Sequence, residues 1–265
     1  MNRSVRSFIA LFTIIVLIAV FTLVPKIPQD LNYHDFGDQK QILGIPNFWN
    51  VMTNLPFLIV GLMGMRQIMI NRLDGGLPQL RSAYLMFFIG VGLTGLGSGY
   101  YHLNPDNGTL VWDRLPMTIA FMALFSAIVG EYLSIEWCRR LLYPLVLIGM
   151  ASVIYWHWSE QQGLGDLRFY GLVQFLPMLL IPVMLIFCQP RLSGNGYLWG
   201  IVGVYVAAKL AEAGDAVIYE HLRFFSGHSL KHLLAAGGAG LFLIALQKRV
   251  PVHRAVKSET GVIAK

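Results

Sequence analysis

Eight apolar runs constrain this chain more than any other feature. They cover residues 8–24, 47–70, 82–102, 114–134, 141–158, 168–188, 196–219 and 228–247. Each is about as long as a helix needs to cross the roughly 30 Å hydrocarbon core of a bilayer. The balance of residue types agrees: 55% are hydrophobic and 13% charged, and the mean hydropathy is +0.58. Soluble domains average about 25% charged residues. The predicted fold is therefore all-α, a polytopic transmembrane helix bundle. For 265 residues a single domain is the natural count.

Charge sets the expected topology. Arg3 and Arg6, Arg72 and Arg81, Arg139 and Arg140, Arg191, and a tail with Lys248, Arg249, Arg254 and Lys257 fall on one side of the spans. By the positive-inside rule that side is the cytoplasm. The net charge of +6 therefore does not call for nucleic acid as a partner. An even number of spans puts both termini inside. The loops at 25–46, 103–112, 159–167 and 220–227 then lie outside. Residues 1–24 read as a signal peptide or a first helix, and Thr22-Leu-Val-Pro-Lys26 is a poor cleavage site. A retained helix is expected, followed by an outer-side loop at 25–46, a core at 47–247 and a cytoplasmic tail at 248–265 whose end is disordered. Cys138 and Cys188 are too few for a zinc-ligand cluster, and on the cytoplasmic side a disulfide is not expected.

Within this frame one constellation carries chemistry. Ser98 and His102 are four residues apart, as are His228 and His232, so each pair shares a helical face. Asp113 follows at the start of the next apolar run, where it also suits a helix N-cap before Arg114-Leu115-Pro116. All these residues fall at the outer ends of their spans, at one membrane depth. Three histidines with one position left for water are the ligand set of a catalytic zinc. A carboxylate and a hydroxyl beside that water are what a hydrolase needs.

Other polar residues have two readings. A single histidine or an HxxxH pair is more often a hydrogen-bonded bundle residue than a ligand. His34, His157, His221 and His253 lack partners in the pattern and are expected to be interfacial or solvated. Asn47, Asn50 and Asn54 are either interhelical glue or support for the site. Lys209, Glu212 and Asp215 lie inside one span and read as a mutually neutralising network, with a proton path as the alternative. No inverted repeat suggests a transporter. A receptor or structural protein that uses zinc only to brace helices, or a hydrolase of another lipid amide or ester, is the competing class.

The motifs Ser98-x-x-x-His102, Asp113-x-Leu115-Pro116-Met117 and Gly227-His228-x-x-x-His232 resemble those of the alkaline ceramidases. Those enzymes belong to a wider group of seven-helix membrane hydrolases that includes the progestin and adiponectin receptors. Phe48-Trp49-Asn50 with Asn54 is similar to the ceramidase opening of the first core helix. The resemblance runs over about residues 33–247 and makes 8–24 an extra helix before a seven-helix core. It implies hydrolysis of a ceramide-like membrane lipid to a sphingoid base and a fatty acid. His102, His228 and His232 would then be zinc ligands, with Asp113 and Ser98 at the metal water. It also implies an acidic calcium site before the first core helix. Asp35, Phe36 and Asp38 match part of it, but Lys40 and Asn47 stand where oxygen-donating or acidic ligands are expected, so calcium binding is expected to be weak or absent.

Overall fold

A computed structural model describes residues 3–252. His253, Arg254 and Lys257 lie outside them. Ten α-helices are assigned: α1 (Arg3–Leu23), α2 (Phe48–Met52), α3 (Leu55–Met69), α4 (Arg81–Leu103), α5 (Asn107–Tyr132), α6 (Ile135–Gln161), α7 (Arg168–Phe187), α8 (Asn195–Ala213), α9 (Asp215–Leu222) and α10 (Gly227–Lys248). No strand is present among the described residues. The fold is the expected all-α polytopic bundle. Among the described residues six spans are long and apolar enough to cross a membrane: α2 with α3, α4 with the turn before it, α5, α6, α7 and α10. The chain is a multi-pass integral membrane protein. α8, which carries Lys209 and Glu212, is not among these six, yet it packs along α10 as part of the bundle. The connections make α3, α4, α5 and α6 sequential neighbours, each packed on the next, with the α4–α5 contact the most extensive.

Several boundaries differ from the sequence expectation. α5 starts at Asn107, where a polar loop was expected to run to 112. Asp106 caps it instead of Asp113, accepting from Thr109 N–H at 2.7 Å while the Thr109 hydroxyl accepts from Asp106 N–H at 3.0 Å. This reciprocal box satisfies donors that an uncapped helix start would leave open. The Thr109 backbone bond holds the Asp106 carboxyl below the usual carboxylate range. α6 likewise begins at Ile135, so Arg139 and Arg140 lie inside its first turns rather than in a loop. The run at 196–219 is broken at Gly214 into α8 and α9. Asp215 explains the break. Its Oδ2 accepts from Gly37 N–H at 2.7 Å and its Oδ1 from His228 N–H at 2.6 Å. It therefore ties the N-terminus of α10 to the 25–46 segment and has left the expected Lys209–Glu212 network.

Residues 25–46 are more than an exposed loop. Phe36 and Asp38 are buried, and a 3-10 turn at Leu31–His34 packs against α4. His34, expected to be interfacial or solvated, is half-buried and hydrogen-bonds the Tyr101 hydroxyl at 2.8 Å and Asn107 Oδ1 at 3.0 Å. At the opposite end Arg249, expected in a loose tail, is buried. It makes a bidentate ion pair with Glu131 at 2.7 and 2.8 Å, and Tyr84 donates to the same carboxylate at 2.8 Å. Cys138 and Cys188 are buried and are not joined in a disulfide.

Candidate metal centre and cavity

A proline and a glycine position the first half of the site. Pro116 has no N–H to give the Trp112 carbonyl one turn back. Gly97 on α4 packs against that carbonyl, and a Cβ there would collide with Trp112 O and meet Pro116 Cγ at 3.3 Å. The contact brings the residues beside it together, so that the Ser98 hydroxyl lies next to the Asp113 carboxylate. Both are buried, Ser98 at 2% and Asp113 at 7% exposure. One turn beyond Ser98, His102 points into the bundle and is fully buried.

α10 supplies the other half. Ser226 caps it by accepting from Ser229 N–H. Gly227 allows it to touch α8, because a Cβ would strike Ala211 O. His228 and His232 then meet His102 in a nearly equilateral triangle, with ring centroids 4.9, 5.0 and 4.9 Å apart. Each ring offers a nitrogen within 4.8 Å of the others. Neither ring nitrogen of His102 has a hydrogen-bond partner. A buried imidazole with both nitrogens unpaired is costly unless something binds one of them. The Thr53 hydroxyl donates to Trp49 O at 2.6 Å and so accepts from His232 Nδ1 at 3.0 Å. That leaves the His232 Nε2 lone pair facing inward, the usual way an outer partner orients a metal-binding histidine. The residues present fit a bound metal ion.

The asparagines support this arrangement. Asn47 Nδ2 donates to His102 O at 2.9 Å, Asn50 Oδ1 accepts from Ser229 at 2.7 Å, and Asn54 Nδ2 donates to Asn50 O at 2.7 Å. They connect α2 to both histidine helices. By contrast, Asp35 and Asp38 join no third acidic or histidine side chain among the described residues. Asp35 accepts from Gln39, and Asp38 Oδ1 from Lys40 N–H, although Asp38 Oδ2 is buried and unpaired. This donor set does not fit the expected acidic calcium site.

Two nearby residues gain a place at the site only in the structure. Phe36, read in the sequence with Asp35 and Asp38 as part of a calcium motif, lies against His102 and His228 with tilted rings at centroid distances of 4.7 and 4.5 Å. Lys231 lies between the α10 histidines, with Nζ 2.9 Å from His228 Nε2 and 3.0 Å from Glu212 Oε1. An ionisable residue inside an apolar run was a readable signal for it. Glu212 also pairs with Lys209, so the intramembrane charge cluster is Lys209–Glu212–Lys231.

Ser98, Asp113, Lys231 and His232 face one end of a cavity of about 770 Å³. Away from that end its walls are apolar, with Phe87 on α4, Leu124 on α5, Leu179 on α7 and Ile201 on α8. A cavity of this volume is in the range of small-molecule sites.

Fold and site together define an intramembrane protein with a three-histidine centre that opens on a lipid-sized apolar cavity. The model of the ceramidase family matches residues 42–211, more than half of the chain, and the chain belongs to that family, whose activity is hydrolysis of amide bonds. The match ends before His228 and His232, so two of the three histidines are placed at the site by the geometry alone. No curated protein matches the chain.

Proposed function

We propose that the protein is a zinc-dependent membrane amidohydrolase that cleaves the N-acyl bond of a ceramide-like lipid, releasing a sphingoid base and a fatty acid. The observation that carries this reading is the shared cavity. Its polar end holds Ser98, Asp113 and His232, and its body is apolar and sized for hydrocarbon. A lipid amide enters such a site laterally from the bilayer. Three imidazoles suit a zinc ion, and His102, His228 and His232 would hold it. When bound, zinc polarises the amide carbonyl and lowers the pKa of a water toward about 7. Asp113 takes a proton from the attacking water and returns one to the leaving nitrogen. Ser98 holds the Asp113 carboxylate in place through its hydroxyl. His232 is kept in one orientation by Thr53. The net change is addition of one water across the C–N bond.

Asp35 and Asp38 are proposed to bind calcium weakly or not at all, since one oxygen of each already accepts a hydrogen bond, from Gln39 and Lys40, and no third acidic side chain joins them among the described residues. Both termini are proposed to face the cytoplasm, with the site toward the outer face. The test of function is incubation of the purified, zinc-loaded protein with a panel of lipid amides and esters, followed by mass spectrometry of the products. Release of fatty acid and sphingoid base from ceramide is the expected result. Hydrolysis of esters alone, or of nothing, overturns it.

A further inference from the structure

α1 lies before the matched family region, and no residue of the three-histidine centre comes from it. Its two faces differ. Phe8, Leu11, Ile14 and Ile18 are 55%, 58%, 53% and 58% exposed, as suits side chains turned to lipid. Val16, Val20 and Val24 recur one turn apart on another face and line the cavity. α1 is thus a single layer between the cavity and the bilayer.

Its position is fixed at the end nearest the site. Arg168 donates to Phe21 O at 3.3 Å and Val24 O at 2.8 Å, placing a cation on the carbonyls that a helix C-terminus leaves open. Asp166 holds Arg168 at 2.8 Å, and that guanidinium keeps the Asp166 carboxyl below the usual carboxylate range. The segment that follows is pinned as well. Leu167 N–H donates to Ile27 O at 2.8 Å, and Gln29 N–H to Glu160 at 2.7 Å. Arg114, the neighbour of Asp113, donates to Gln29 Oε1 at 2.7 Å. The valine row therefore runs away from the polar end in the order Val24, Val20, Val16. At 1.5 Å per residue it spans about 12 Å of cavity depth.

We propose that α1 is a wall of the hydrocarbon-chain site, and that Val24, Val20 and Val16 set the length of chain the cavity accepts. Valine is short for its place among Phe, Leu and Ile on this helix. Its size leaves the space that a methylene chain fills, and a larger side chain on the same face shortens that space from a defined depth. The proposal rests on the lipid-amide reading above.

The experiment compares Val20→Phe, Val16→Phe and Ile18→Phe, the last on the lipid face, with the unmodified protein. Each is assayed on N-acyl sphingosines graded from short to very long acyl chains. Zinc content and melting temperature are measured on the same preparations. Val20→Phe should lower kcat/KM for long chains relative to short ones by about tenfold or more, the scale on which a few methylenes are discriminated. Val16→Phe should affect only the longest chains, and Ile18→Phe should leave the profile unchanged. Should Val20→Phe fail to fold, Val20→Ala replaces it, and the profile should shift toward longer chains. Retention of fatty acids of graded length, read by native mass spectrometry, gives the same comparison without turnover. Thus absence of hydrolysis would count against the enzyme reading, while the length profile would still decide the role of α1. Identical profiles in all folded variants would overturn the proposal.

Discussion

Asp113 and Ser98 touch each other, and their roles separate by size of effect. Asp113→Asn keeps a near-isosteric side chain within α5, so zinc content and melting temperature should be unchanged. Turnover should fall about 10²-fold or more, the usual loss when an acid–base group is removed. Ser98→Ala removes the hydroxyl beside the Asp113 carboxylate; a hydrogen bond to a charged group is worth about 1.5–3 kcal/mol, so turnover should fall by about tenfold or more but by less than in Asp113→Asn. A fully active, zinc-loaded Asp113→Asn protein would refute the mechanism. A zinc that only braced helices would leave both activities alone. The histidines make a separate prediction. His232→Ala should lose most of the zinc by elemental analysis, because two imidazoles cannot complete a three-ligand site. His221 is exposed and bonds its own backbone at Val217 O, so His221→Ala should match the unmodified protein. Full metal retention in His102→Ala, His228→Ala and His232→Ala alike would overturn the ligand set.

At the scale of elements the decisive contact is α4 against α5. Gly90 and Gly97 both let the backbones touch: a Cβ at Gly90 would lie 2.6 Å from Ala120 N, and one at Gly97 would overlap Trp112 O. Small residues allow such close approach in membrane bundles, where packing replaces the hydrophobic drive. Gly97→Ala should force the helices apart beside Ser98 and Asp113. The expected outcome is a loss of about 1–3 kcal/mol in stability, as for other overpacked positions. Activity should fall by more than it does in Ser98→Ala. An unchanged melting temperature and activity would show that α4 and α5 can separate at no cost. The glycines were visible in the sequence as a Gly-rich span. Their pairing with the carbonyl freed by Pro116 was not, because it needs the register of two helices.

For the whole molecule, the Glu131–Arg249 pair ties α5 to the end of α10 far from the site. Both residues are almost fully buried, so removing one charge strands the other. Arg249→Met should cost about 3–5 kcal/mol, and adding Glu131→Leu should restore much of it. A thermal scan of the single and double variants reads this directly; a double variant no better than the single would contradict it. Orientation is tested by cysteine labelling, with Cys138 and Cys188 buried and giving little background. A cysteine at Asn104, exposed between α4 and α5, should react from the outer face, and one at Arg72 should be protected. The reverse pattern would invert the topology.

Apolar runs of bilayer length determined that this chain is a helical membrane bundle, since hydrocarbon leaves the backbone few other choices. The four-residue spacing in Ser98–His102 and His228–His232 also fixed which side chains share a face, because it depends only on helix geometry. What the linear pattern could not decide was where helices stop when the determinant is distant. Asp215 breaks α8 from α9 by binding Gly37 and α10, and Arg249 leaves the expected tail for Glu131. Phe36 reaches His102 across 66 positions (102 − 36), and Val20 reaches the cavity from a helix outside the core. Such contacts arise from packing between segments far apart in the chain, and their residues look ordinary until the tertiary structure brings them together.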